Sequence, residues 1–93
     1  QFYSRYYLVN QMREEVKNGI ITGPEAIKIN KIYNQAKATK KILSSIKKKE
    51  DKAMGIKDAA VQEKRMDALE SARYKNVAVF NKMYETLNID KIK

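Results

Sequence analysis

A chain of 93 residues has room for one hydrophobic core and none for a separate catalytic half. It contains no Cys, His or Trp, which removes disulfides, thiolate and imidazole metal sites and every nucleophile–histidine pairing used by hydrolases. Twenty Lys and Arg against eleven Asp and Glu leave a net charge of +9, a surplus that favours an acidic partner such as nucleic acid or an anionic membrane face.

The first stretch places Phe2, Tyr6, Val9, Met12 and Val16 on one side of a 3.6-residue period, which predicts a first helix ending near Asn18-Gly19. A second start follows at once. Thr22-Gly23-Pro24-Glu25 fits a capping box, with Thr22 accepting from a backbone amide and Glu25 reaching back to another; Gly23 as cap with Pro24 at the first helical position is the alternative. From there Ile29, Ile32, Ala36, Thr39, Leu43 and Ile46 alternate spacings of three and four, a heptad-like seam on a long helix from about residue 23 to 52. Met54-Gly55-Ile56-Lys57-Asp58 supplies a glycine break and a new aspartate cap. A third helix then carries Val61, Met66, Leu69, Ala72, Val77, Phe80, Tyr84 and Leu87 on a broader apolar side. Sustained period-two alternation is missing, so no strand competes. The expected fold is one all-α domain over residues 1–93: a long antiparallel hairpin with a shorter N-terminal helix packed alongside, its thin core inviting self-association into a homo-oligomer or a larger assembly.

The charge is unevenly placed. Residues 1–25 are balanced, residues 58–93 carry +1, and residues 26–57 set ten lysines against Glu50 and Asp51, +8. Ala26 to Lys49 contains no carboxylate, so no i,i+4 partner relieves the repulsion. At 100° per residue Asn30, Asn34, Lys37, Lys41, Ser44, Ser45, Lys48 and Lys52 fall roughly opposite the seam. Lys37 to Lys52 covers about 22 Å of helix axis, comparable with several phosphate spacings of a duplex. Lysine presents a compact charge without the forked geometry by which arginine reads guanine, so backbone contact is favoured over base readout. The candidate nucleic-acid-binding residues are therefore Lys37, Lys41, Lys48 and Lys52, with Lys40, Lys47 and Asn34 from the same acid-free run. The competing reading is a solvated lysine face that serves solubility, or one muted by Glu63, Asp67, Glu70 or Glu85 of the third helix.

Phe2-Tyr3-Tyr6-Tyr7, with Arg5 between, is an amphipathic aromatic cluster in which Phe2 and Tyr6 belong to the core while Tyr3 and Tyr7 point off it, candidates for a protein interface. Base stacking is a lesser expectation for these rings. Residues 14–32 superficially fit helix-turn-helix, but the second helix is too long for a recognition helix and its seam is committed to packing. Gly19 and Gly23 make no phosphate loop, since neither the GxxxxGK[ST] order nor a preceding strand is present. Adjacent acids such as Glu14-Glu15 and Glu50-Asp51 point about 100° apart on a helix and make poor acid–base pairs. Tyrosine nucleophiles need histidine or clustered arginine beside the phosphate, and the four arginines lie far apart in sequence. No enzyme, cofactor or metal is expected.

Two functions remain. The first is a non-enzymatic, oligomerising helical module holding nucleic-acid backbone, not a particular sequence. The alternative is a structural or adaptor subunit of a larger assembly, a virion or transcription complex for example, docking on acidic protein surfaces. A membrane role ranks third, because the second helix lacks bulky aromatic anchors on its apolar side. No stretch approaches the roughly 20 apolar residues of a span, and the amino end, which opens on Gln1 as a processed product or excised domain would, lacks the order of a secretory signal. The expected setting is soluble, intracellular or virion-associated.

Overall fold

The computed structural model describes residues 2–87 and contains three helices: α1 (Phe2–Lys17), α2 (Pro24–Ala53) and α3 (Ala59–Tyr84). The expected all-α hairpin with a shorter helix alongside is what forms. α1 buries Phe2, Val9 and Met12 and packs Tyr6 and Val16 partly against the core. It closes as expected at Gly19, whose φ of 76° lies in the region glycine tolerates. Ile20 N donates to Glu15 O at 2.9 Å and Gly19 N to Val16 O at 3.1 Å, the paired bonds of a Schellman ending.

The start of α2 differs from the capping box. Gly23 is the cap, at φ 72° and ψ −148°, with Pro24 at the first helical position and no side-chain hydrogen bond. Its carbonyl accepts from Ala26 N at 3.1 Å and Ile27 N at 3.3 Å. Thr22 thus stands one residue outside the cap and Glu25 one residue too early to be its partner, because the box needs the hydroxyl residue at the cap itself. Beyond this start all six seam positions, Ile29, Ile32, Ala36, Thr39, Leu43 and Ile46, are buried. Thr39 is the polar member, and its Oγ1 accepts from Gln35 Nε2 at 3.1 Å.

At the hairpin turn the expected aspartate cap forms: Asp58 Oδ1 accepts from Ala60 N at 3.0 Å and Val61 N at 3.3 Å. Gln62 Nε2 reaches back to donate to Met54 O and to Ala53 O, the latter shared with Ile56 N, so a side chain of α3 ties down the end of α2. α3 buries only Leu69, Phe80 and Tyr84, with Leu87 buried just past its end and Met66, Ala72 and Val77 partly covered. Val61, expected on the apolar side, is 48% exposed. At 100° per residue it lies roughly 90° from the line through Leu69 and Phe80, too far round to reach α2.

The three helices alternate in direction. α1 runs antiparallel to α2, with Tyr6 beside Lys40 and Arg13 beside Tyr33. α2 runs antiparallel to α3, with Glu50 paired to Arg73 at one end and Lys28 Nζ donating to Thr86 O at the other. α1 is fastened to α3 at its start: Phe2 meets Phe80 edge-on at 5.0 Å, Arg5 Nη1 donates to Asn81 Oδ1 at 2.8 Å, and the Arg5 guanidinium lies over Tyr84. The body measures 54 × 19 × 16 Å. Sixteen residues of α1 reach only about 24 Å at about 1.5 Å each, so beyond Lys47 the hairpin continues as a two-helix arm closed by Ile46, Ala53 and Leu69, with Ile56 and Met66 alongside. Among the described residues no helix is long and apolar enough to cross a membrane.

Candidate nucleic-acid interface

The seam commits less than half of α2's circumference to packing, and the rest carries its lysines outward. Lys37, Lys40, Lys41, Lys47, Lys48 and Lys52 are all exposed, as is Asn34. Among the described residues two ion pairs form, Lys17 with Glu14 and Arg73 with Glu50. Neither involves a lysine of α2. Glu63, Asp67, Glu70 and Glu85, the acids of α3 and its exit that stood to mute the stripe, pair with none of these ammonium groups, and Glu50 is taken by arginine instead.

Two residues at the start of α2 stand apart from the stripe. Lys28 ties down the carboxyl end of α3 through the Thr86 carbonyl, where a cation also meets the negative end of the helix dipole. Asn30, expected on the outward stripe, is half-buried, and its Oδ1 is sealed from solvent without a hydrogen-bond partner. The exposed part of the outward stripe therefore begins at Asn34.

Tyr3 and Tyr7 are 58% and 63% exposed, while Tyr6 is half-buried. Their position relative to the lysines is the feature that sequence periodicity could not supply. Packing α1 along α2 sets Lys40 Nζ 5.0 Å from the centre of the Tyr6 ring and the Arg13 guanidinium 5.5 Å from that of Tyr33, while within α2 Lys37, one turn beyond Tyr33, places its Nζ 5.5 Å from the same ring. Such contacts hold an ammonium by the ring quadrupole without cancelling its charge. Beside them lies a hollow of about 560 Å³ lined by Tyr6, Lys37, Ala38, Lys40, Lys41 and Ser44. Ser44 also borders a second hollow of about 650 Å³, walled by Tyr3, Leu43, Lys47, Arg73 and Tyr74. A smaller one of about 240 Å³ at the hairpin turn collects Lys49, Lys52 and Arg65.

Tyr74 is brought to the site by the fold and not by helical periodicity. It is 68% exposed on a helix whose apolar side faces elsewhere, and the available signal was that a large ring stood off the apolar periodicity. Among the described residues no group of three or more Asp and Glu side chains gathers as a metal site would require.

The arrangement is that of a basic three-helix protein whose cationic face lies on the middle helix, bordered by tyrosines from both neighbours. Comparison with protein families, with curated proteins and with solved structures finds no match.

Proposed function

We propose that this chain is a non-enzymatic module that holds nucleic-acid backbone through the outward lysines of α2. The observation that carries the reading is that Lys37, Lys40, Lys41, Lys47, Lys48 and Lys52 are exposed and join none of the ion pairs among the described residues. Ammonium groups held in that state exchange only water and counterions for phosphate, and the release of condensed counterions from the polyanion drives association. Lysine's flexible stem supplies charge without base selectivity, so the contact is with backbone. Asn34 and Ser44 add hydrogen-bond donors between the charges. Engaging five or six phosphates of a duplex gives a slope of about −5 for log affinity against log salt, at about −0.9 per contact. Replacing Lys37, Lys41 and Lys48 together by Gln lowers that slope by about 3. Absence of binding to both duplex and single strand at low salt overturns the proposal.

One observation favours the adaptor reading as a second possibility. Ile20 and Ile27 are 71% and 69% exposed beside the α1–α2 turn, more than a solvated end of the molecule requires. In that case charge reversal at Lys37, Lys41 and Lys48 disrupts a complex with an acidic protein and leaves nucleic-acid affinity unchanged.

A further inference from the structure

The two hollows share Ser44 as a wall and so adjoin as a track along the lysine face, and their chemistry differs from that of the outward stripe. The first has walls that are mostly carbon: the Tyr6 ring, the Ala38 methyl and the lysine stems, with the ammonium groups of Lys37, Lys40 and Lys41 at its rim. Its volume of about 560 Å³ falls within the about 300–1,000 Å³ of small-molecule sites. The second is lined by two exposed rings, Tyr3 of α1 and Tyr74 of α3, together with Lys47 of α2. Phe2 meets Tyr3 edge-on at 5.1 Å, and Arg73, which lines the hollow with Tyr74, is paired with Glu50. Lys37 to Lys47 spans about 15 Å at about 1.5 Å per residue.

From this geometry we infer that the track takes single-stranded nucleic acid, with bases lowered against Tyr6, Tyr3 and Tyr74 and the phosphates carried by Lys37, Lys40, Lys41 and Lys47. The inference rests on the polyanion reading above and deepens it by naming the strand. A bare phosphate gains nothing from carbon walls. A duplex keeps its bases paired inside and offers the protein sugar and phosphate, so it can use the lysines but has no ring to place in the hollows. An unpaired strand supplies both, and stacking is tolerant of sequence because every base has a π-face. Lys40, held over the Tyr6 ring, moves its charge to the incoming phosphate and leaves the ring face to the base.

The test uses the full chain and a short labelled oligonucleotide as single-stranded DNA, single-stranded RNA, duplex DNA and an abasic strand of equal length, titrated by fluorescence anisotropy over a salt series. A single strand of either sugar binds more tightly than the duplex or the abasic strand at equal salt. Tyr3→Ala and Tyr74→Ala each weaken single-strand binding by about five- to a hundredfold without changing its salt slope, since a ring releases no counterions. Both positions are more than half exposed, and circular dichroism confirms that the variants fold. Lys41→Gln instead lowers the slope by about 0.7. Duplex or abasic binding as tight as single-strand binding, with the tyrosine variants unaffected, overturns this inference and leaves backbone holding intact. Failure of every probe to bind at low salt removes both.

Discussion

Phe80 is fully buried where the three helices meet, and replacing it by Ala tests whether α1 is docked on the hairpin as described. The ring packs against Phe2 at 5.0 Å and Tyr84 at 5.9 Å. Burial of a Phe side chain contributes about 1.5–3 kcal/mol, and each aromatic pair adds about 0.5–1.5 kcal/mol, so the loss should be about 3–5 kcal/mol, in line with other Phe→Ala substitutions in cores. Against the about 5–14 kcal/mol expected for a domain of this length, that is a large part of the total. In urea, at a slope of about 1–2 kcal/mol per molar, the midpoint falls by about 1.5–5 M. Phe80→Leu, which keeps an aliphatic fill, costs about 1–2 kcal/mol and folds well enough to report on α1. Because Phe2 seats on Phe80, the leucine variant also loosens Tyr3 and should lose single-strand preference before it loses charge-driven binding. A cost for Phe80→Ala no greater than that for the exposed Tyr74→Ala, which should stay within about 0.5 kcal/mol, would refute the packing that positions the aromatic side of the groove.

Three further outcomes follow from local geometry. Asp58→Ala removes the acceptor for two amides at the start of α3 and should cost about 1 kcal/mol, while Asp58→Asn keeps most of the cap; thermal unfolding should show the Ala variant lower by about 4–8 °C. Gly19→Ala should cost about 1–2 kcal/mol in urea denaturation, and since an added Cβ meets nothing within 4 Å, the whole cost comes from holding φ at 76°. Amides of residues 62–68 in the two-helix arm should exchange with deuterium faster than those of 76–84, which pack where α1 covers the hairpin.

Much of the fold is legible because each device is local. The α2 seam repeats at three and four and buries all six of its positions, and both the Gly19 ending and the Asp58 cap stand where the residue types place them. Local rules fail where two of them compete for the same residues. Thr22 and Glu25 satisfy the capping pattern, but the left-handed φ of Gly23 and the fixed φ of Pro24 start the helix one residue later. Val61 and Asn30 show a second limit. Each lies at the margin of a face, and whether a marginal position is covered depends on where the neighbouring helix sits, which periodicity within one helix does not encode.

The candidate site divides along the same line. Acid-free lysines on one helix are countable in the sequence, whereas their placement beside Tyr6, Tyr3 and Tyr74 requires α1 and α3 to be set in register against α2. That register also separates charge from folding. The core asks of α2 only the residues on its seam; Lys28 caps the end of α3 and Lys37 and Lys40 lie over tyrosine rings, but Lys41, Lys47 and Lys48 join no ion pair or ring contact that specifies lysine. Glutamate forms helix about as well, and alternating it with lysine would add favourable i,i+4 pairs where repulsion now stands. Glu50, the acid nearest the run, is spent on Arg73 and stabilises the arm without relieving its neighbours. Neither helix propensity nor packing nor a cross-helix pair therefore accounts for a face of one sign. A bound polyanion, the partner proposed above, would supply from outside the counter-charge that the described fold does not provide.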